Sequence, residues 1–168
     1  MIELNEQADG TVDRPDDIEE RHQFVTFSLS GQTYCIDIMS VREIRMTQSI
    51  AAMPGAAEYV LGVINLRGSI VPVCDLHQRF GEGKTEVRAN HPVVIVWIDG
   101  QMTGILVDEV LDIISVSSSD ISEIPDTEKN KSNPFFEGLI TQDDAMLIIV
   151  SLDNLFEEEA LAKQLELA

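Results

Sequence analysis

Apolar and polar residues alternate along much of this chain with the two-residue period of a β-strand. Apolar residues occupy every second position from Val25 to Leu29, and a second alternating run follows at 34–38 after a turn. The run 92–98 is apolar throughout, which is typical of a strand covered on both faces. The pattern therefore predicts a mostly β fold.

The clearest hairpin lies at residues 60–76, where two apolar, β-branched runs flank Asn65-Leu66-Arg67-Gly68-Ser69. Asn65 and Gly68 tolerate the backbone angles of a tight reversal, so the hairpin tip is expected at this motif. Arg67 is then a long cation close to the tip. A local ion pair, with Glu43 as the candidate partner, could hold it, or the tip could present it to a binding partner. Both interpretations stay open from the residues alone.

Further turn signals divide the chain into about ten strands. A polar loop at 81–92 separates them into two sets, so we expect two small five-stranded β-barrels packed together, with the change of lobe at this loop. Ser40 and Glu43 have the spacing of a helix capping box, which predicts a helical turn at 40–44. Asp75 is expected to begin a second short helix.

Both ends of the chain differ in character from the middle. Residues 1–22 are polar and acidic, and we expect a disordered arm before a folded domain at 23–160. An acidic helix with an apolar stripe is expected after residue 151, with residues 161–168 as its end. The Ser-, Asp- and Lys-rich segment 117–134 predicts a long exposed loop.

The charge and the cysteines narrow the class of protein. A net charge of −19 argues against nucleic acid and against an anionic membrane surface as partners. No apolar run approaches the roughly 18 residues of a membrane helix, and the start of the chain lacks the features of a signal peptide. Cys35 and Cys74 lie inside apolar strand patterns, which predicts buried free thiols in a reducing compartment. We therefore expect a cytoplasmic protein without direct membrane contact.

No constellation of residues points to catalysis, a metal or a cofactor. His22, His77 and His91 have no further ligand at a spacing that builds a metal site on one element. Cys74 precedes His77 by three residues, but its place in an apolar strand favours a structural role over a nucleophile. We expect the protein not to be an enzyme and to bind no cofactor.

Six blocks of sequence stand in order along the chain: residues 24–38, Val41-Arg42-Glu43-Ile44-Arg45, Gly62 to Gly68, Ile70 to Leu76, Gly104 to Asp108 and Met146-Leu147-Ile148. Together they resemble the CheW family of bacterial chemotaxis coupling proteins. The resemblance covers about residues 22–160 and implies a pair of five-stranded, SH3-like β-barrels. It also implies a scaffold that bridges the cytoplasmic tips of chemoreceptors to the regulatory domain of the histidine kinase CheA.

The resemblance further implies which residues contact partners. A groove between the lobes would take the receptor tip helix, and opposite ends of the molecule would contact the kinase. His77 stands where the family often has arginine, so a positive charge there would depend on pH. The candidate contact residues are Val41, Glu43, Gly62, Asn65, Arg67, Gly68, Val110 and Ile113.

Two other functions are left open by the sequence. One is an adaptor of the same fold in another chemosensory pathway, such as surface motility or development. The other is a small-ligand-binding or hydrolytic β-barrel protein, which a deep inter-lobe pocket with convergent polar groups would favour. In the coupling interpretation, we expect a monomer in isolation that joins rings with the kinase.

Overall fold

A computed structural model describes residues 21–47, 49–125 and 134–156. Most of the expected acidic arm, the expected helix after residue 156 and segment 126–133 of the expected loop lie outside these ranges; Arg21 and His22 already belong to the first strand. The strands are β1 (Arg21–Leu29), β2 (Gln32–Asp37), β3 (Val41–Met46), β4 (Val60–Leu66), β5 (Ser69–Asp75), β6 (Pro92–Ile98), β7 (Gln101–Leu106), β8 (Glu109–Ser117), β9 (Ile121–Ser122), β10 (Phe136–Gln142) and β11 (Ala145–Val150). The α-helices are α1 (Leu76–Arg79) and α2 (Leu152–Leu155), and two short 3-10 helices span Ile38–Ser40 and Ser118–Asp120.

The strands form two sheets, which confirms the expected mostly β, two-lobed fold. One sheet has six strands in the order β8-β1-β2-β11-β10-β9, and the other has five in the order β3-β6-β7-β5-β4. The predicted change of lobe at 81–92 is not where the chain changes sheet, because β5 and β6 on either side of this loop share the five-stranded sheet. The chain crosses between β2 and β3 and returns between β7 and β8. Two parallel pairings, β5 with β7 and β2 with β11, join strands distant in sequence.

Three apolar clusters hold the sheets together. A central cluster lies between the sheets and includes Phe27 of the six-stranded sheet and Val94 and Val96 of the five-stranded sheet. Each sheet also has a separate apolar cluster on its other face. In the five-stranded sheet this second cluster includes Val93 and Ile95 of β6. Alternate residues of β6 therefore serve two clusters, as expected for a strand covered on both faces.

Residues 41–46 form a strand, so the predicted helical turn at 40–44 is wrong. A helical turn begins two residues earlier, at Ile38–Ser40, where the side chain of Asp37 accepts a hydrogen bond from Met39 N at 2.8 Å. β3 instead pairs antiparallel with the apolar strand β6. This non-local pairing overrides a capping signal that comprises only two residues.

Asp75 is fully buried and joins α1 to the loop that follows. Its Oδ1 atom accepts hydrogen bonds from His77 N at 3.1 Å and from Thr85 Oγ1 at 2.6 Å. Its Oδ2 atom accepts a hydrogen bond from Thr85 N at 2.7 Å. The predicted helix cap is confirmed, and the same carboxylate also anchors the loop.

Replacing Asp75 by alanine is expected to lower the free energy of unfolding by about 2–4 kcal/mol. The substitution removes the cap of α1 and leaves two polar groups of Thr85 without their acceptor. Asp75→Asn keeps one side-chain oxygen and should cost less. Urea denaturation of both variants tests this, and equal stability of the alanine variant and the original chain would contradict the anchoring role.

Candidate functional site

A two-residue turn forms the tip of the β4–β5 hairpin. Arg67 and Gly68 have φ angles of +51° and +90°, the combination that a tight hairpin turn requires. The Asn65 side chain supports the turn, because its Oδ1 atom accepts a hydrogen bond from Gly68 N at 2.9 Å. Arg67 takes the left-handed conformation that the sequence suggested for Asn65. The tip is therefore a defined projection in which Asn65 acts as a brace.

The Arg67 guanidinium is both paired and accessible. It forms an ion pair with Glu43 on β3, and Glu43 also accepts a hydrogen bond from Arg45 Nη1 at 3.1 Å. The hydrogen bond from Arg67 is the main reason that the pKa of Glu43 is lowered. The Arg67 side chain nevertheless remains 67% exposed, against 26% for Glu43. The two interpretations of Arg67 are thus compatible: the ion pair fixes a cation that still faces solvent.

Gly62 is required by the backbone beside this hairpin. Ala51 and Val63 exchange backbone hydrogen bonds of 2.8 and 2.9 Å, which bring the segment after β3 against β4. Gly62 has a φ angle of +152°, and a Cβ atom on it would lie 2.1 Å from the carbonyl oxygen of Ala51. β3 and β4 are the two edge strands of the five-stranded sheet. The Ala51–Val63 bridge connects the segment after β3 to β4, and the Glu43–Arg67 ion pair connects β3 to the tip of the β4–β5 hairpin. Gly62 therefore acts through the backbone, because it allows the Ala51 segment to approach β4 closely.

Val110 and Ile113 lie on β8, an edge strand of the six-stranded sheet. In the register with β1, Val110 is opposite Phe27 and Ile113 is opposite Val25, two residues of the central cluster. Directly opposite residues share a face of the sheet, so both candidates face the space between the two sheets. Val110 packs against the central cluster, whereas Ile113 is 53% exposed.

A bulge in β8 places Val110 and Ile113 on the same face. Residues three apart would lie on opposite faces of a regular strand, but the register between β1 and β8 shifts by one residue after Thr26. The Thr26 hydroxyl bridges the irregularity, donating to Asp112 O at 3.2 Å and accepting from Asp112 N at 3.0 Å. A buried threonine on the neighbouring strand thus stabilises the bulge that puts these two apolar side chains on one face.

β3, an edge strand of the five-stranded sheet, also carries apolar side chains beside the central cluster. Val41 packs against the central cluster, and Ile44, which is opposite Val94 of that cluster, is 44% exposed. Ile44 was not among the contact residues predicted from the sequence. We call Val41, Ile44, Val110 and Ile113 the apolar margin, since they border the central cluster on both edge strands.

The structure thus separates the eight predicted contact residues into two groups. Glu43, Asn65, Arg67 and Gly68 lie at the hairpin tip, with Gly62 beneath them, and Val41, Val110 and Ile113 belong to the apolar margin. β3 links the groups, because Val41 is opposite Val96 of the central cluster whereas Glu43 pairs with Arg67.

Neither a metal centre nor a membrane helix is found in the part of the chain that the structure describes. Its His, Cys, Asp and Glu side chains nowhere gather in a group of three that could hold a metal ion. The described helices are too short to cross a membrane. A fixed, exposed cation together with apolar side chains on two edge strands is instead typical of a protein-binding module.

The chain belongs to the CheW-like family. The family model for the CheW-like domain matches residues 23–160. The chemotaxis protein CheW of Rhizobium meliloti is 36% identical over 137 residues, covering 82% of this chain and 88% of the relative. CheW of Treponema pallidum is 32% identical over 149 residues, covering 86% and 88%. The crystal structure of the scaffolding protein TtCheW from Thermoanaerobacter tengcongensis matches with a TM-score of 0.76 and 37% identity over 84% of this chain and 96% of that one.

Proposed function

We propose that this chain is a non-catalytic adaptor that couples the cytoplasmic tips of chemoreceptors to the regulatory domain of the histidine kinase CheA. The family match over residues 23–160 carries the proposal, and relatives named as chemotaxis and scaffolding proteins support it. The adaptor acts in the cytoplasm, where receptor tips and kinase meet. It is a monomer by itself and alternates with the kinase domain in rings beneath the receptors.

The apolar margin is the proposed seat of the receptor tip. A helix docked in a groove needs apolar anchors and polar groups at the rim. Ile44 and Ile113 supply half-exposed apolar surface beside a packed cluster, and Arg67 with Glu43 supplies a fixed charge pair. Such a charge sets the register of a partner more than it adds affinity. The kinase domain is proposed to bind at the ends of the molecule away from this margin.

Reconstitution of the signalling complex tests the coupling function. A receptor signalling fragment and CheA are mixed with and without this chain, and ATP consumption is followed. Addition of the chain should stimulate the kinase only when the receptor fragment is present. Equal ATP consumption with and without the chain would contradict the proposal.

Replacing Ile113 by glutamate is expected to weaken receptor binding about tenfold or more. The substitution places a charge in the apolar margin, but Ile113 is exposed, so the fold should change little. Met146→Glu is the matched control, because Met146 is 58% exposed on β11, a strand that does not contribute to the margin. Calorimetric titration with a receptor fragment compares them, and equal losses would contradict the assignment of the margin.

The first alternative function, an adaptor of the same fold in a pathway for surface motility or development, is distinguished by the kinase that it binds. An adaptor for another chemosensory output would retain a different histidine kinase in a pull-down from its own cells, and identification of that kinase decides the question.

The ligand-binding or hydrolytic alternative has less support. Apolar side chains of the central cluster, such as Phe27 and Val96, occupy the space where its polar pocket would be needed.

A further inference from the structure

His77 lies on α1, where three separate segments of the chain meet. Its side chain is only 13% exposed. The Nε2 atom is 2.9 Å from Asp108 Oδ1, just before β8. The Nδ1 atom is 3.2 Å from Glu82 Oε1, in the loop after α1, and 3.3 Å from Ser30 Oγ, in the β1–β2 turn. One ring therefore contacts the β1–β2 turn, the connection between β7 and β8, and the loop between α1 and β6.

The number of protons on this ring decides which contacts can persist. Only the imidazolium carries an N–H on both nitrogens and can donate to two carboxylates at once. If the neutral ring keeps its proton on Nε2 for Asp108, then Nδ1 presents a lone pair to the Glu82 carboxylate. Ser30 can donate to that lone pair but then gives up its own 3.5 Å contact with Glu82. Loss of one proton thus removes the His77 donor from Glu82 and leaves at most the long contact with the Ser30 hydroxyl.

The two carboxylates are not equally dependent on His77. The Oδ2 atom of Asp108 also accepts a hydrogen bond from Ser30 N at 2.9 Å, and Asp108 N donates to Ser28 O at 3.1 Å. These backbone bonds do not involve the imidazole. Asp108 therefore stays attached to the β1–β2 turn in either protonation state, whereas the Glu82 side chain does not.

The charges around the ring favour the imidazolium. Burial on its own would lower the pKa of His77, but the hydrogen bond and charge of Asp108, the hydrogen bond of Glu82 and the charge of buried Asp75 together raise it. Other charged groups also face this cluster: the charge of His91 helps to lower the pKa of Asp108, and Lys84, Glu86 and Arg88 line the same cavity as His77 and Glu82. The contacts thus keep the proton on His77 to a higher pH than an exposed histidine would keep it.

We propose that His77 is a proton-dependent latch, which holds the loop of residues 81–91 against α1 and the six-stranded sheet when charged and releases Glu82 when neutral. The loop adjoins the end of β3, because Thr47 N donates to His91 O at 2.9 Å. The latch is a property of the folded chain and goes beyond the adaptor function. Any effect on the neighbouring apolar margin rests on the proposed function.

Native-state hydrogen exchange at a series of pH values tests the latch. The reporter is the Glu82 amide, which donates to His77 O at 2.8 Å, with rates corrected for the pH dependence of intrinsic exchange. Because the folded pKa of His77 is raised, the latch is fully formed below about pH 6.5 and weakens as the pH rises through the folded pKa. The protection factor of the Glu82 amide should fall severalfold as the pH rises and His77 loses its proton.

Two variants separate the latch from general loosening of the fold. His77→Arg keeps a cation at every pH and should hold the Glu82 protection constant between about pH 5.5 and 8.5. Glu82→Gln removes the released carboxylate and should abolish the pH-dependent step while leaving the fold intact. A step of unchanged size in both variants would overturn the proposal. Neither receptor nor kinase is present, so the result is independent of the adaptor function.

Discussion

Replacing Arg67 by aspartate is expected to reduce binding of the receptor tip more than about tenfold. The guanidinium is 67% exposed at a turn whose backbone is fixed by Asn65, so the charge reversal changes the presented surface more than the core. The midpoint of thermal unfolding should move little. Binding titrations together with circular dichroism melts measure the two effects on one preparation.

The double variant Glu43→Arg with Arg67→Glu separates the presented cation from the local ion pair. It restores an attractive pair between β3 and the hairpin but reverses its orientation. If the exposed cation makes the contact, the double variant folds normally and still binds poorly. Full recovery of binding would instead mean that Arg67 acts only by holding the hairpin against β3.

Replacing Gly62 by alanine is expected to produce the largest loss of stability, more than about 3 kcal/mol. The new Cβ atom would lie 2.1 Å from the Ala51 carbonyl oxygen, and the φ angle of +152° is one that L-residues rarely adopt. The Ala51–Val63 bridge must then open, which detaches the segment after β3 from β4. Urea denaturation measures the change.

Gly68→Ala is the matched control on the same hairpin. A Cβ atom there would meet nothing within 4 Å, so only the φ angle of +90° opposes the substitution. The expected cost is about 1–2 kcal/mol. Equal losses for the two variants would show that backbone angle alone, and not the close approach to Ala51, makes Gly62 necessary.

Local periodicity was sufficient to predict most strands but not the sheets that they form. The alternation in β1 and the wholly apolar β6 each depend on a few neighbouring residues, and both strands are where the sequence placed them. The order of strands depends on the parallel pairings of β5 with β7 and β2 with β11, which leave no local signal. The misassigned β3 has the same cause, because its structure depends on pairing with β6.

The candidate site was predicted in part by chemistry and in part by resemblance. The Arg67–Glu43 pair could be suggested from opposite charges, whereas Val110 and Ile113 came only from the family motif. Their shared face depends on Thr26, 86 residues away from its partner Asp112, and no pattern within β8 encodes it. Contacts of this kind become visible only once the chain is folded.

The path of the chain between the sheets has a consequence for dissecting the protein. A cut in the loop at 81–92 would leave β1 to β5 on one fragment and β6 to β11 on the other. Each fragment would then hold strands of both sheets and a complete set for neither. The two pieces can regain the native arrangement only by associating with each other, so this loop is a natural place to divide the protein into a complementing pair.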